Sequence, residues 1–482
     1  MKGGLVNGLV GWKFRDKPSI FPEARPPMDR NARSRQKQQR LQIARRVRAT
    51  EALEFFNLLT EGQLLPMTDA LSPAHRERLY PPTVTLSMFM QQVLDADGSC
   101  QKVVNGWAAQ RAACGLRPCS TRTGGYCRAR SRLPLPMISG LTRETGRQLH
   151  AQARPQWCWR GRRVKLVDGT GISMPDTARN QARYPQSGTQ AAGLGFPLAQ
   201  LVVVVCLATG AALDAAIGAC RGKGNSELGL FRQLTRAFAP GDVMLADALY
   251  CNYFLIATLA RAGVDVLFKQ HGARITDFAR GEPLGRRDHI VAWPRPARPP
   301  WMTLEHYRTF PKELRVRETQ TSHQILVTTM TDHQQVSKAE LAQLYARRWD
   351  VELDLRNMKT TMGMAVLRGQ TPQMNEKQLW AHLLAYNLIR LLMARAASNA
   401  GVDPRELSFK HASQLWTQWA LRGLHPGPEL FAMIAQSKVG GRPGRVEPRR
   451  RKRRPKPYPW LTKPRNLARS DIAHYGQPQR LK

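Results

Sequence analysis

Two short apolar runs, each ending in an aspartate, set the strongest limit on how this chain can fold. Val164-Lys-Leu-Val-Asp168 and Asp242-Val-Met-Leu-Ala-Asp247 both read as strands with an acid at the C-terminal end. Between them, Pro197–Leu207 and Ala211–Ile217 read as a hairpin around a Thr209-Gly210 turn. Asn225-Ser226-Glu227 then caps a helix running towards Phe238. The order is β, β, β, α, β. Placing the first and fourth strands side by side brings Asp168 and Asp247 together. Taken singly, a strand-end aspartate is an ordinary turn residue.

A third acid follows on a well-signalled helix. Ser337 and Glu340 form an S-x-x-E capping box, and Leu341, Leu344, Val351, Leu355 and Met358 recur at helical spacing. At about 100° per residue, Tyr345, Arg348, Glu352 and Lys359 fall within roughly a 60° arc of one face. Asp350 and Asp354 project to the other side. The cluster reads as a site, with Glu352 as an acidic metal ligand, Arg348 and Lys359 as phosphate clamps and Tyr345 as a phosphate or base contact. The competing reading is a solvated amphipathic helix, in which Arg348 and Glu352 are one i,i+4 ion pair.

Charge decides what such a site would face. The chain has 482 residues and a net charge of +39, from 74 Lys and Arg against 35 Asp and Glu. That excess exceeds what solubility needs and points to a polyanion, with nucleic acid ahead of a membrane surface. The apolar stretch Ala191–Leu213 is broken by Pro197 and three glycines, and reads as a buried hairpin rather than a membrane span. The eight cysteines include no Cys-x-x-Cys pair, which argues for reduced thiols over a zinc site.

The organisation is expected as follows. Residues 1–48 are a basic leader, flexible until it meets a partner, and Met28 is a candidate start that would make residues 1–27 an artefact. Residues 49–150 form a helical DNA-binding domain, with helices expected from Glu51 and over Val84–Leu94. Residues 151–271 and 335–400 supply the two parts of an α/β catalytic core, and 272–334 a β-rich insertion. Residues 401–482 form a C-terminal helical region and a basic tail, where Arg449–Arg454 would track phosphates and Tyr458 and Trp460 could stack on bases.

Two strand-end carboxylates, a third on a later helix and a strongly basic chain describe a metal-dependent nuclease core. At this point the sequence resembles the bacterial cut-and-paste DDE transposases of the insertion-sequence-4 group. The likeness rests on Asp168-Gly-Thr, Ser173-Met-Pro-Asp-Thr177, Asn180-Gln-x-x-Tyr184-Pro-Gln186 and Asp247-Ala-Leu-Tyr250. Most specifically, Tyr345, Arg348, Glu352 and Lys359 reproduce the group's Y-(2)-R-(3)-E-(6)-K signature with every spacer intact. The segment Cys119–Arg130 and the Arg/Pro-rich tail are also typical of the group.

The resemblance implies an RNase H-like core with a β-rich insertion domain and a triad of Asp168, Asp247 and Glu352. It implies Mg²⁺, with Mn²⁺ able to substitute. Asp168 would bridge two ions, while Asp247 and Glu352 would hold one each. The implied activity is cleavage of double-stranded DNA at the inverted-repeat ends of the protein's own element, commonly through a hairpin, and joining of the 3′-hydroxyls to target DNA. A dimer on paired ends is implied, in the bacterial cytoplasm and at the nucleoid. Some members carry an arginine directly after the second aspartate; here it is Ala248, so the resemblance leaves the triad unaffected but does not carry over a phosphate contact at that position. Trp293 and Trp301 are candidates, by region only, for stacking on a flipped base. The alternatives are a non-transposing nuclease of the same core and a catalytically inactive or domesticated DNA-binding descendant.

Overall fold

The computed structural model describes residues 71, 79–117, 119–222, 224–322, 324–422, 424, 426–439 and 463–476. The basic leader, the helix expected from Glu51 and the Arg449–Arg454 tail with Tyr458 and Trp460 lie outside them. Among the described residues, nine strands form one mixed sheet in the order β3-β2-β1-β4-β5-β9-β8-β7-β6. Strands β1 (Val164–Ser173), β4 (Val243–Ala246) and β5 (Asp265–Lys269) are parallel neighbours. Strands β2 (Leu198–Cys206) and β3 (Ala212–Ala219) run antiparallel beside β1 as the expected hairpin.

The valine run of β2 explains its place inside the sheet. Val203 and Val205 pack with the long helix Pro372–Ala400 and the helix Leu135–Ala151 on one face. Val202 and Val204 pack with Phe231, Leu234 and Ile256 on the other. A strand buried on both faces needs continuous rather than alternating apolar residues. Gly210 makes the β2–β3 turn at φ +75°, and a Cβ there would stand 2.6 Å from the Arg390 guanidinium. Both backbone and space therefore demand glycine. Among the described residues, no helix is long and apolar enough to cross a membrane, and all eight cysteines are free thiols.

Strands β6 (Glu282–Gly285), β7 (Asp288–Pro294), β8 (Glu313–Gln320) and β9 (Ile325–Thr328) arise from residues 272–334. They continue the central sheet, because β9 pairs antiparallel with β5 and β8 with β9. N-terminal to β1, the helices Pro82–Leu94, Cys100–Ala113, Gly124–Arg132 and Leu135–Ala151 follow one another.

Two buried histidines give the fold an acid limit. Burial, helped by Lys165 and Arg163, pushes His150 down to about 3. Burial likewise pushes His382 down to about 4. Both rings stay neutral in the fold, while the unfolded chain binds their protons near pH 6.5. Their contribution to stability is therefore complete above pH 6.5 and is lost as pH falls towards about 4 and about 3. The urea midpoint should fall between pH 7 and pH 5, and His382→Gln should flatten that slope.

Candidate active site

Register brings the two aspartates together. In the parallel β1–β4 pair, Leu166 lies opposite Leu245. Carried two residues further, that register sets Asp168 alongside Asp247. Strand β1 does not stop at Asp168, as its sequence suggested. Antiparallel pairing with β2 carries it on to Ser173 while β4 ends at Ala246. Asp168 thus sits where its neighbour strand leaves the sheet. Its carboxylate accepts the Gly169 N–H at 2.8 Å. Asp247 accepts the Leu249 N–H at 2.9 Å, capping the 3₁₀ turn Ala248–Tyr250.

The helix carrying Glu352 departs from the continuous one expected. The capping box at Ser337 and Glu340 forms, but the helix Lys338–Ala346 gives way at Arg347 and Arg348 to the helix Trp349–Arg356. Through this joint the bonds are i→i+3, from Arg347 to Leu344 and from Arg348 to Tyr345. A π turn, Asn357–Thr361, then replaces regular α-helix around Lys359. Both changes leave apolar periodicity intact, so the pattern does not reveal them.

Tyr345, Arg348 and Glu352 nevertheless come within reach of the aspartates' charges, and Lys359 reaches β1. Arg348 donates to Glu352 at 2.7 Å, and the charges of both reach Asp168. Tyr345 is buried and its hydroxyl is pushed up to about 12 by burial, opposed by Arg348 and aided by Asp247. Lys359 donates to Thr170 on β1 at 2.7 Å. On the far side of the Glu352 helix, Asp354 is fully buried and ion-paired with Arg390 and with Arg405, the latter at 2.7 Å. That cluster pins the helix into the core while Glu352 faces out.

The site is crowded with negative charge. Burial pushes the Asp168 carboxyl up to about 6; the Gly169 N–H and Arg348 pull against this, while Asp247 and Glu352 add to it. Burial and the Asp168 and Asp247 charges also raise Glu227, against a hydrogen bond from Gln200. Glu227 opens the short helix that follows β3 and reads from the sequence as part of a helix cap. Among the described residues, no three His, Cys, Asp or Glu side chains are already arranged to hold one ion. Trp293 is buried, donates to Glu318 at 2.7 Å and is covered by Arg274, so it is part of the core. Trp301 is exposed, with the Arg232 guanidinium over its ring at 3.9 Å.

Residues 159–388 match the family model described as "Transposase DDE domain". The chain is 30% identical over 352 residues to the transposase InsG for insertion sequence element IS4 of Escherichia coli (strain K12), spanning 70% of this chain and 77% of that protein. A cryo-EM structure of the piggyBac transposase synaptic complex with hairpin DNA aligns over 83% of this chain and 87% of that one, at a TM-score of 0.42 and 11% identity. A DDE transposase is thus the class of protein. The chain belongs to the IS4 family of DDE transposases.

Proposed function

We propose that Asp168, Asp247 and Glu352 are the catalytic carboxylates of an RNase H-like core that cuts DNA at the ends of its own insertion sequence and joins the freed 3′-hydroxyls to target DNA. The observation that carries this reading is the convergence itself. Neighbouring parallel strands bring up two aspartates, and an anchored helix turns Glu352 into their electrostatic field. The order β3-β2-β1-β4-β5 supports the RNase H-like assignment. Residues 151–271 and 335–400 then carry the core, 272–334 the insertion, 49–150 the helical DNA-binding part and 401–482 the C-terminal part.

The donors fit a divalent cation. They are hard carboxylate oxygens, and burial raises Asp168, with Asp247 and Glu352 adding to the push. Asp168, Asp247 and Glu352 would hold Mg²⁺, or Mn²⁺ in its place. Bound there, the cation supplies Lewis-acid stabilisation of phosphate charge and acidifies water. The chain's own residues do the rest. Arg348 shares its guanidinium between Glu352 and an incoming phosphate, where its planar fork fixes geometry. Lys359, held at Thr170, offers a point charge beside Asp168. Buried Tyr345 keeps its proton and donates to phosphate or base.

The reading extends to double-stranded inverted repeats as substrate, a hairpin intermediate, a dimer on paired ends and action at the bacterial nucleoid. The test is cleavage of inverted-repeat DNA by the purified full chain with Mg²⁺ or Mn²⁺, using Glu352→Gln as control. Metal-dependent cutting at the repeat end, lost in the variant, supports the reading; binding without cutting in either metal supports an inactive DNA-binding descendant. Lys359→Ala should slow single-turnover cleavage by about tenfold to a hundredfold, the scale of one charge-assisted hydrogen bond. It should also reduce the salt slope of DNA binding by about 1. Wild-type rates and slope at low salt would remove Lys359 from phosphate contact.

A further inference from the structure

We infer that the cleft between residues 176–195 and the helix Arg465–Tyr475 binds a backbone phosphate of the DNA that is cut at Asp168, with Arg221 and Arg469 as its contacts and Arg465 as its anchor. This rests on the reading of the protein as a DNA-cutting enzyme. The first ground is continuity. Lys359 reaches Thr170, two residues beyond Asp168 and so on the same face of β1. The chain after Lys359 then follows that strand. Ser173 donates its N–H to Ala365 at 3.1 Å and accepts the Leu367 N–H at 2.9 Å. Thr177 donates to the Gln370 carbonyl at 3.0 Å, and Asp176 and Thr177 line the cleft. From Asp168 to Ser173 is roughly 16 Å along an extended strand. That is about five nucleotide rises of one duplex strand, so a single bound duplex can reach both places.

The second ground is support. The glutamines of the Asn180-Gln-x-x-Tyr184-Pro-Gln186 segment brace one wall. Gln181 donates to Asp176 Oδ1 at 2.7 Å and to the Gly195 carbonyl at 3.0 Å, and Gln186 accepts the Gly195 N–H at 3.0 Å. Arg465 fastens the other wall. Its Nε pairs with Asp176 Oδ2 at 2.9 Å, its Nη1 donates to Gly195 at 3.0 Å, and its guanidinium lies over the Phe196 ring at 3.7 Å. Its Nη2 has no partner among the described residues. A wall held by side-chain bonds on both sides is preorganised for a ligand.

The third ground is charge. The cleft has a volume of about 580 Å³, and Asp176 is the one acid among the described residues that line it. Both Asp176 oxygens are already taken, by Gln181 and Arg465. Arg221 and Arg469 line the same cleft, and among the described residues neither side chain makes a hydrogen bond or ion pair. Gly188 lets Arg221 lie against the loop, since a Cβ there would stand 3.1 Å from its Nη2. Cations gathered with no free acid repel one another, and an anion shared between them removes that cost. A latch for the C-terminal helix needs Arg465 alone and leaves Arg221 and Arg469 unexplained. Guanidinium forks suit phosphate oxygens.

The experiment measures binding of the full-length protein to labelled inverted-repeat DNA over a salt series. The variants are Arg221→Gln/Arg469→Gln, Arg221→Lys/Arg469→Lys and a charge-matched control at two exposed lysines elsewhere, Lys312→Gln/Lys410→Gln. The Arg-to-Gln pair should bind about tenfold more weakly at low salt, the scale of one charge-assisted hydrogen bond. Its salt slope should fall by about 1, as for one lost phosphate contact. The Arg-to-Lys pair should keep the slope, and the control should keep both slope and affinity. Without DNA the Arg-to-Gln pair should melt with wild type, since neither arginine is bonded in the fold. Unchanged affinity and slope in that pair overturn the inference. So do equal losses in the control, which mark a diffuse field, and a lowered melting temperature, which marks a structural role. Cutting by Glu352→Gln is scored on the same DNA. Its loss leaves the triad standing whatever the cleft does, and normal cutting by it brings down the triad while the slopes still decide the cleft.

Discussion

Asp168→Asn, Asp247→Asn and Glu352→Gln should each lower single-turnover cleavage at the element ends by roughly 10³-fold or more, the scale on which one member of a catalytic constellation is missed. Pairs of these substitutions should be little worse than singles, because the three act as one unit. DNA binding should hold or tighten slightly, since each change removes negative charge from a surface that meets phosphates. Gel-shift and cleavage assays on the same labelled repeat separate the two effects. Normal cleavage by any one variant would take that residue out of the triad. Loss of binding in step with cleavage would turn the acids into structural elements of the DNA-binding surface.

A second large effect should fall on stability. Asp354→Ala leaves the guanidiniums of Arg390 and Arg405 without their carboxylate in the interior. Removing one partner of a buried ion pair costs about 3–5 kcal/mol. Asp350→Ala breaks the Arg347 pair at 2.7 Å on the partly exposed side of the same helix. That change should cost at most about 1 kcal/mol. Urea unfolding of both variants checks the contrast. Equal effects would mean that Asp354 is not what fixes the helix. Because Glu352 rides on that helix, Asp354→Ala should also impair cleavage well below its unfolding midpoint.

Much of this could be read from the chain, for local reasons. The hairpin declared itself through its valines and Gly210, and the Lys338 helix through its capping box. Asp168 and Asp247 were legible because each closes a short apolar run. What escaped notice was not local. The joint at Arg347 and Arg348 and the π turn at Asn357–Thr361 change hydrogen-bond partners without disturbing apolar spacing. The extension of β1 past Asp168 depends on pairing with β2 rather than on its own residues. Glu227 looked like an ordinary cap because an acid in a first helical turn has its own sufficient reason.

The return of β9 to the side of β5 has a consequence for how such a chain can change over generations. The excursion through β6, β7 and β8 leaves the sheet at β5 and comes back beside it before the helix bearing Glu352 begins. Length added at the turns of that excursion leaves the β4–β5 and β5–β9 pairing intact, and closing a longer loop costs little, about 0.6 kcal/mol per doubling. Surface can therefore be grown, trimmed or exchanged there as a cassette. The hem that β9 stitches to β5 keeps the sheet, and the acids at its end, in register throughout.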